Sequence, residues 1–240
     1  MKLLSFLRTL SNKSYKEVSL KRMMDIDETQ AFYHCLTLVE TSFLYYSKTT
    51  EDKIILIDRI MTCVRNDFIY TAMAEICYVD EPVYMDEIKP PTQISVDALN
   101  KTINAEIPLY YKINLAKDNV VAVPWKEYSF CKTELSVKRK HFSYSRNSHT
   151  AYYFMGIDVT FATNGLHSIS AGINNKNGYI FAKIVSLEKL YDYITGRPDG
   201  YYDNITDKCI CKSKYFQIPL LFELAKIKYN LEKEIKGGIN

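Results

Sequence analysis

The apolar residues of this chain change period part-way along it, and that change limits what it can fold into. Phe32, Cys35, Leu36, Val39, Phe43 and Tyr46 recur at helical spacing, and so do Ile54, Ile57, Ile60, Met61 and Val64. From Ile107 the spacing becomes that of strands, over Ile107–Leu115, Asn119–Val123, Tyr128–Val137, Ile157–Ala162 and Tyr179–Val185. Helices gathered ahead of strands predict an α+β protein. An N-terminal helical unit over 1–78 is followed by an acidic, Pro-containing linker over 79–94. A mixed sheet domain over 95–240, closed by a C-terminal helix, completes it.

Within the helical part, Asp27–Tyr46 reads as one helix. Thr50 reads as an N-cap, with Glu51 and Asp52 in the first turn where the dipole favours them. Asn66 or Asp67 starts a further helix carried by Ile69, Met73, Ile76 and Cys77. Met1–Arg22 carries six basic residues against Glu17, with Leu3, Phe6, Leu7 and Leu10 on one helical face. A first helix packed on the domain is preferred there over a membrane or partner surface. In the linker, Pro82, Pro90 and Pro91 exclude a regular element. Ser95 or Asp97 can cap a short helix through Ile103, and Ser186 another through Ile194. Asn174–Gly178 reads as a turn and Gly196–Asn204 as a surface loop. Pro219 suits the first turn of the last helix, which Gly237-Gly238 stops.

A net charge of +3 does not by itself mark a nucleic-acid binder. No segment is long and apolar enough to span a bilayer. Cys35, Cys63 and Cys77 fall among apolar neighbours and read as small core residues. Cys209-Ile-Cys211 would place two thiols on one strand face, a weak metal signal. Nothing resembles a disulfide framework, which points to a reducing, cytoplasmic setting. Lys, Ile, Asn and Tyr are favoured, as AT-rich coding produces in low-GC bacteria and their phages.

Three groups of residues can carry chemistry. The first is the run Lys132–Arg146, where Lys138, Arg139, Lys140 and Arg146 stand among Phe142 and Tyr144. Interleaved cations and aromatics suit phosphate contact with base stacking, and equally a solvated edge strand. The second is the histidines His141, His149 and His167. Two of them can act as acid and base in RNA cleavage, or bind a metal with Asp158, although no metal-motif spacing is present. The third is Asn164-Gly165-Leu166-His167-Ser168. Here a strand runs into a Gly turn and then into small residues, a form that presents backbone N–H groups to an anion. His167 is the candidate for direct contact. His149 and Tyr152 are the second choices. The alternative is an Asn-Gly hairpin with His167 bonded to a carbonyl.

Strand, G-x-H, polar residue and small residues, preceded by the extended Val123-Pro124, resemble the ParB/sulfiredoxin-like superfamily over about residues 107–195. That resemblance implies a turn at a helix N-terminus gripping phosphate. Gly165 and His167 match its D-G-x-H-R form, whereas Asn164 and Ser168 replace the acidic residue and the Arg. The chain is also similar to an uncharacterised bacterial and prophage family with an N-G-x-H-S signature and a nearby S-H-x-x-Y-Y segment, which implies no assigned activity. The expected function is binding of nucleotide or nucleic-acid phosphate, with a nuclease of prophage or phage-defence context as its catalytic form. The alternative is a non-catalytic module whose Tyr-rich surface binds a protein. No cofactor is identified by the residues.

Overall fold

The computed structural model describes residues 27–77, 85–96 and 101–237, and the expected start over Met1–Arg22 lies outside them. The architecture is α+β, with N-terminal helices, a central mixed sheet and a closing C-terminal helix. Helix α1, Glu28–Tyr46, begins at Asp27, whose side chain accepts from the Thr29 N–H. Helix α2, Thr50–Ala74, is capped by Thr49 rather than Thr50. Thr49 Oγ1 accepts from the Asp52 N–H while the Asp52 carboxylate accepts from the Thr49 N–H. Asn66 and Asp67, expected to start a separate helix, lie inside α2, which no Gly or Pro interrupts. Asp67 instead accepts from Gln217 at 2.8 Å.

The region read as irregular holds a 3-10 turn at Met85–Glu87 and the start of strand β1, Gln93–Val96. β1 pairs antiparallel with β2, Lys101–Asn104, where a helix was expected. Ile94, Val96 and Ile103 are all buried, and such alternating β-branched residues favour a hairpin. With Ile88 they join the core that contains Phe32, Ile57, Phe68 and Phe222.

Five strands make the main sheet: β3 Glu106–Asn114, β4 Val120–Val121, β5 Thr150–Met155, β6 Val159–Asn164 and β7 Tyr179–Ser186. Their spatial order is β3-β7-β5-β6-β4. The β3–β7 and β5–β6 pairs are antiparallel, and β5–β7 and β4–β6 are parallel. β6 is buried from Val159 to Ala162 because both of its faces are covered. On one face α2 and the closing helix α5, Gln217–Gly237, pack over Phe154, Phe161 and Val185. On the other, helix α4, Leu166–Asn174, packs over Ala151, Ala162 and Ala182.

Tyr128–Val137 is not a strand but most of helix α3, Glu127–Lys140, which packs on α4. Phe130, Thr133, Glu134 and Val137 recur at helical spacing and form its more buried side. Gly196–Asn204 is not a surface loop either. Strands β8 Ile194–Arg197, β9 Gly200–Asp203 and β10 Cys209–Lys212 form a second sheet. Tyr201 is fully buried there, with its ring 5.5 Å from Phe222. The apolar gain of burying an aromatic outweighs the turn-forming composition around it.

Only a 3-10 turn, Leu187–Lys189, follows Ser186, whose side chain caps nothing. Pro219 is the third residue of α5, still within the turn where a missing N–H is tolerated. Cys63 and Cys77 are exposed rather than in the core, and Cys35 is half-buried. A bulge between Cys209 and Cys211 breaks the alternation that would have placed both on one face. No helix among the described residues is long and apolar enough to cross a membrane.

The Tyr201 hydroxyl is buried without a partner. Tyr201→Ala should cost about 3–5 kcal/mol. Tyr201→Phe removes the orphaned hydroxyl and should be neutral or stabilising by about 1 kcal/mol. Urea denaturation reads both, and a large loss in the Phe variant would show that the hydroxyl is satisfied.

Candidate functional site

β6 ends at Asn164 and α4 begins at Leu166, so a single residue makes the turn. Gly165 adopts φ 75 and ψ 25, the left-handed region. A Cβ there would overlap the His149 ring and stand 2.6 Å from the Ser148 carbonyl oxygen. Asn164 Oδ1 accepts from the Gly165 N–H at 2.8 Å. The expected strand, Gly turn and helix N-terminus are therefore present, and the Asn-Gly hairpin is not. Helix α4 has no side-chain cap and no acidic residue in its first turn. Its opening N–H groups, which have no intrahelical acceptor, sit at the positive end of the dipole.

His149 fastens this turn to the preceding loop. The Ser145 N–H donates to His149 Nδ1 at 2.9 Å, so that nitrogen is unprotonated. Nε2 therefore carries the hydrogen and donates to Ser168 Oγ at 2.9 Å. Ser168 Oγ in turn donates to the Gly165 carbonyl at 2.9 Å. Burial pushes the His149 pKa down, in agreement with a neutral ring. Phe142 stacks on it at 5.1 Å and Tyr144 lies at 5.8 Å. The Ser168 hydroxyl hydrogen is committed, which leaves only its backbone N–H for a ligand.

His167 is placed differently. Both of its ring nitrogens are buried without a partner. Burial first, and Lys126 second, push its pKa down. The ring lies 5.9 Å from that of Trp125. A cleft of about 370 Å³ opens between Trp125, Thr133, Asn164 and the first turn of α4. Trp125 is 46% exposed, with the Lys126 ammonium 4.3 Å from its ring centre. Both residues lie just beyond the strand pattern over Asn119–Val123, in no motif that the sequence offers. A lone Trp beside a Lys just after a buried strand was the available signal.

The other sequence candidates fall into separate places. His141 pairs with Asn177 at 3.1 Å, beyond the C-terminal end of α4. Lys138, Arg139 and Lys140 form the last turn of α3 and lead into that same end, away from Gly165. Arg146 lies in the exposed turn between Ser145 and Ser148, beside Gly165. Asp158 sits just before β6, at the opposite end from Asn164 and roughly 20 Å away along the strand. There it meets Asn119, Tyr153 and, at 3.6 Å, Arg65. Tyr152 packs into the core under α2 and α5, on the other face of the sheet from α4. The three histidines thus do not converge, since His149 and His167 adjoin Gly165 and His141 does not. Among the described residues no three His, Cys, Asp or Glu side chains gather as a metal site.

The model of a family of unknown function matches residues 11–235. The chain belongs to that family, DUF6710. No curated protein and no solved structure matches it.

The pH dependence of stability follows from His149. Folding keeps the ring neutral, whereas the unfolded chain protonates it near the ordinary value of 6.5. Below that pH the unfolded state holds the extra proton, so stability is present above about 6.5 and falls as the pH drops. His167 is shifted in the same direction and adds to the slope. Melting temperature should fall between about pH 7 and about pH 5. His149→Gln should flatten that fall, and unchanged pH dependence in the variant would count against a neutral, fastened His149.

Proposed function

We propose that this protein binds a nucleotide or related phosphate ester in the cleft between Trp125 and the N-terminus of α4. The observation that carries the reading is the uncapped first turn of α4 beside His167, whose ring nitrogens lack partners. A phosphate at the Leu166, His167 and Ser168 amides would meet N–H donors and the positive dipole end. Lys126 supplies a cation, and the Trp125 indole supplies a face on which a base stacks. The ParB-like form of Gly165 and His167 implies phosphate at the same turn.

Binding fits the geometry better than hydrolysis. The Nδ1 lone pair of His149 is taken up by the Ser145 N–H, so that ring cannot accept a proton there as a general base. His141 lies beyond the other end of α4. His167 keeps unpartnered ring nitrogens in the cleft, but neither His149 nor His141 is free beside it, so the paired acid and base of RNA cleavage are not assembled. The reading is of a cytoplasmic phosphate-ester-binding protein of prophage or defence context. A second reading, a protein-binding module, is favoured by exposed Leu109, Tyr110 and Tyr111 on the edge strand β3.

Calorimetric titration with nucleoside monophosphates tests the cleft. Wild type should bind nucleotides and bind the corresponding nucleosides far more weakly. Trp125→Ala should lose about 1–3 kcal/mol of binding, the usual worth of a base stack. His167→Ala should weaken binding while its melting curve stays near that of wild type. Wild type that binds no nucleotide, or a His167→Ala variant that binds unchanged, would remove the reading.

A further inference from the structure

The sheet face under α2 and α5 is not covered along its whole width. Residues directly paired across strands share a face. Tyr110 pairs with Lys183, Lys112 with Phe181 and Asn114 with Tyr179. At this uncovered margin Tyr110 is 55% exposed, Tyr179 44% and Phe181 37%. Tyr144 from the loop adds a ring 6.2 Å from Tyr179 and 5.4 Å from Phe181. Lys112 stands 4.3 Å from the Tyr179 ring centre, and Lys183 stands 5.5 Å from that of Tyr152.

Positive charge predominates on this surface. Lys112 and Lys183 lie among the rings, and Glu106 is the acid paired to Lys183, at 3.7 Å. Arg146 follows Tyr144 by two residues, and Lys176 precedes Tyr179 in the exposed turn after α4. Protein interfaces are depleted in Lys where they are rich in aromatics. Aromatic rings interleaved with Lys on an open sheet face are what a single nucleic-acid strand requires, with bases on the rings and phosphates on the ammonium groups.

A second copy added along β3 is opposed by the strand itself. Its register shifts between Ile107 and Tyr110, and Pro108 there has no N–H to offer.

The platform also leads to the cleft. Tyr144 is 5.8 Å from His149, and His149 is bonded to Ser168 in the first turn of α4. We propose that the exposed face formed by Tyr110, Lys112, Tyr144, Tyr179, Phe181 and Lys183 binds single-stranded nucleic acid, one nucleotide of which occupies the Trp125–α4 cleft. This deepens the cleft reading and rests on it, naming a strand rather than a free nucleotide as the ligand.

Fluorescence anisotropy with a labelled single strand of about eight nucleotides tests the proposal, with DNA and RNA as separate arms. Wild type should bind at least one strand more tightly than a mononucleotide, with affinity falling as salt rises. The tighter arm assigns the sugar. Phe181→Ala should weaken oligonucleotide binding about tenfold or more, and Lys112→Gln should reduce the salt dependence. Both variants should leave mononucleotide binding unchanged, and circular dichroism should show both folded. Should wild type bind a mononucleotide in the cleft but no oligonucleotide more tightly, the platform is rejected and the cleft stands. Should an oligonucleotide bind while His167→Ala and Trp125→Ala change nothing, the cleft reading fails and the continuous path with it. A wild type that binds no strand but forms a dimer disrupted by Phe181→Ala overturns the proposal in favour of a copy-to-copy surface.

Discussion

A strand becomes a helix within one residue at position 165, and much of the molecule depends on that residue having no side chain. Gly165 takes a left-handed conformation at the point where the His149 ring and the Ser148 carbonyl close in. A Cβ would require both to move. Without one, α4 starts directly against the sheet, over the small residues Ala151, Ala162 and Ala182. The same economy leaves the helix uncapped, so its opening amides face the cleft. The left-handed Gly thus determines both the packing of α4 and the electrostatics of its first turn.

Two further constraints hold this junction in place. The relay from the Ser145 N–H through His149 and Ser168 to the Gly165 carbonyl fixes the loop before β5 to the turn after β6. Each hydrogen has one acceptor, so the tautomer of His149 is set by the backbone. The second constraint is the parallel pairing of β4 with β6, Val120 with Thr160 and Val121 with Phe161. Because the two strands run the same way, the residues that follow them emerge side by side. Trp125 and Lys126 are delivered next to Asn164 and Gly165 by register alone. Arg65 fixes the far end of β6, where Nε donates to the Ile157 carbonyl at 2.8 Å.

The turn was legible in the sequence because its signals are local. A buried β-branched strand, Asn-Gly and small residues specify a turn and a helix start without reference to the rest of the chain. The strand after it was legible for the same reason, as were the helix over Asp27–Tyr46 and the closing helix. The misread elements are those in which composition and tertiary burial disagree. Tyr128–Val137 carries aromatic and β-branched residues that suggest a strand, but its contact with α4 follows a helical period. Residues 194–203 carry the Gly, Pro and Asp of a loop, yet Tyr201 draws them into the core. The partners of the site were less legible still. Nothing local to Trp125 shows that β4 runs parallel to β6, and nothing local to Asp158 shows that it lies at the far end of the same strand. The role of His149 depends on a donor four residues earlier and a hydroxyl nineteen residues later.

The central claim is that the first turn of α4 receives a phosphate. Backbone amide NMR of the isotopically labelled protein measures this directly, during titration with a nucleoside monophosphate and separately with its nucleoside. The amide protons of Leu166, His167 and Ser168 should move downfield with the nucleotide and stay in place with the nucleoside. Amides in that turn that do not move while others shift would contradict the claim, as would equal responses to the two ligands.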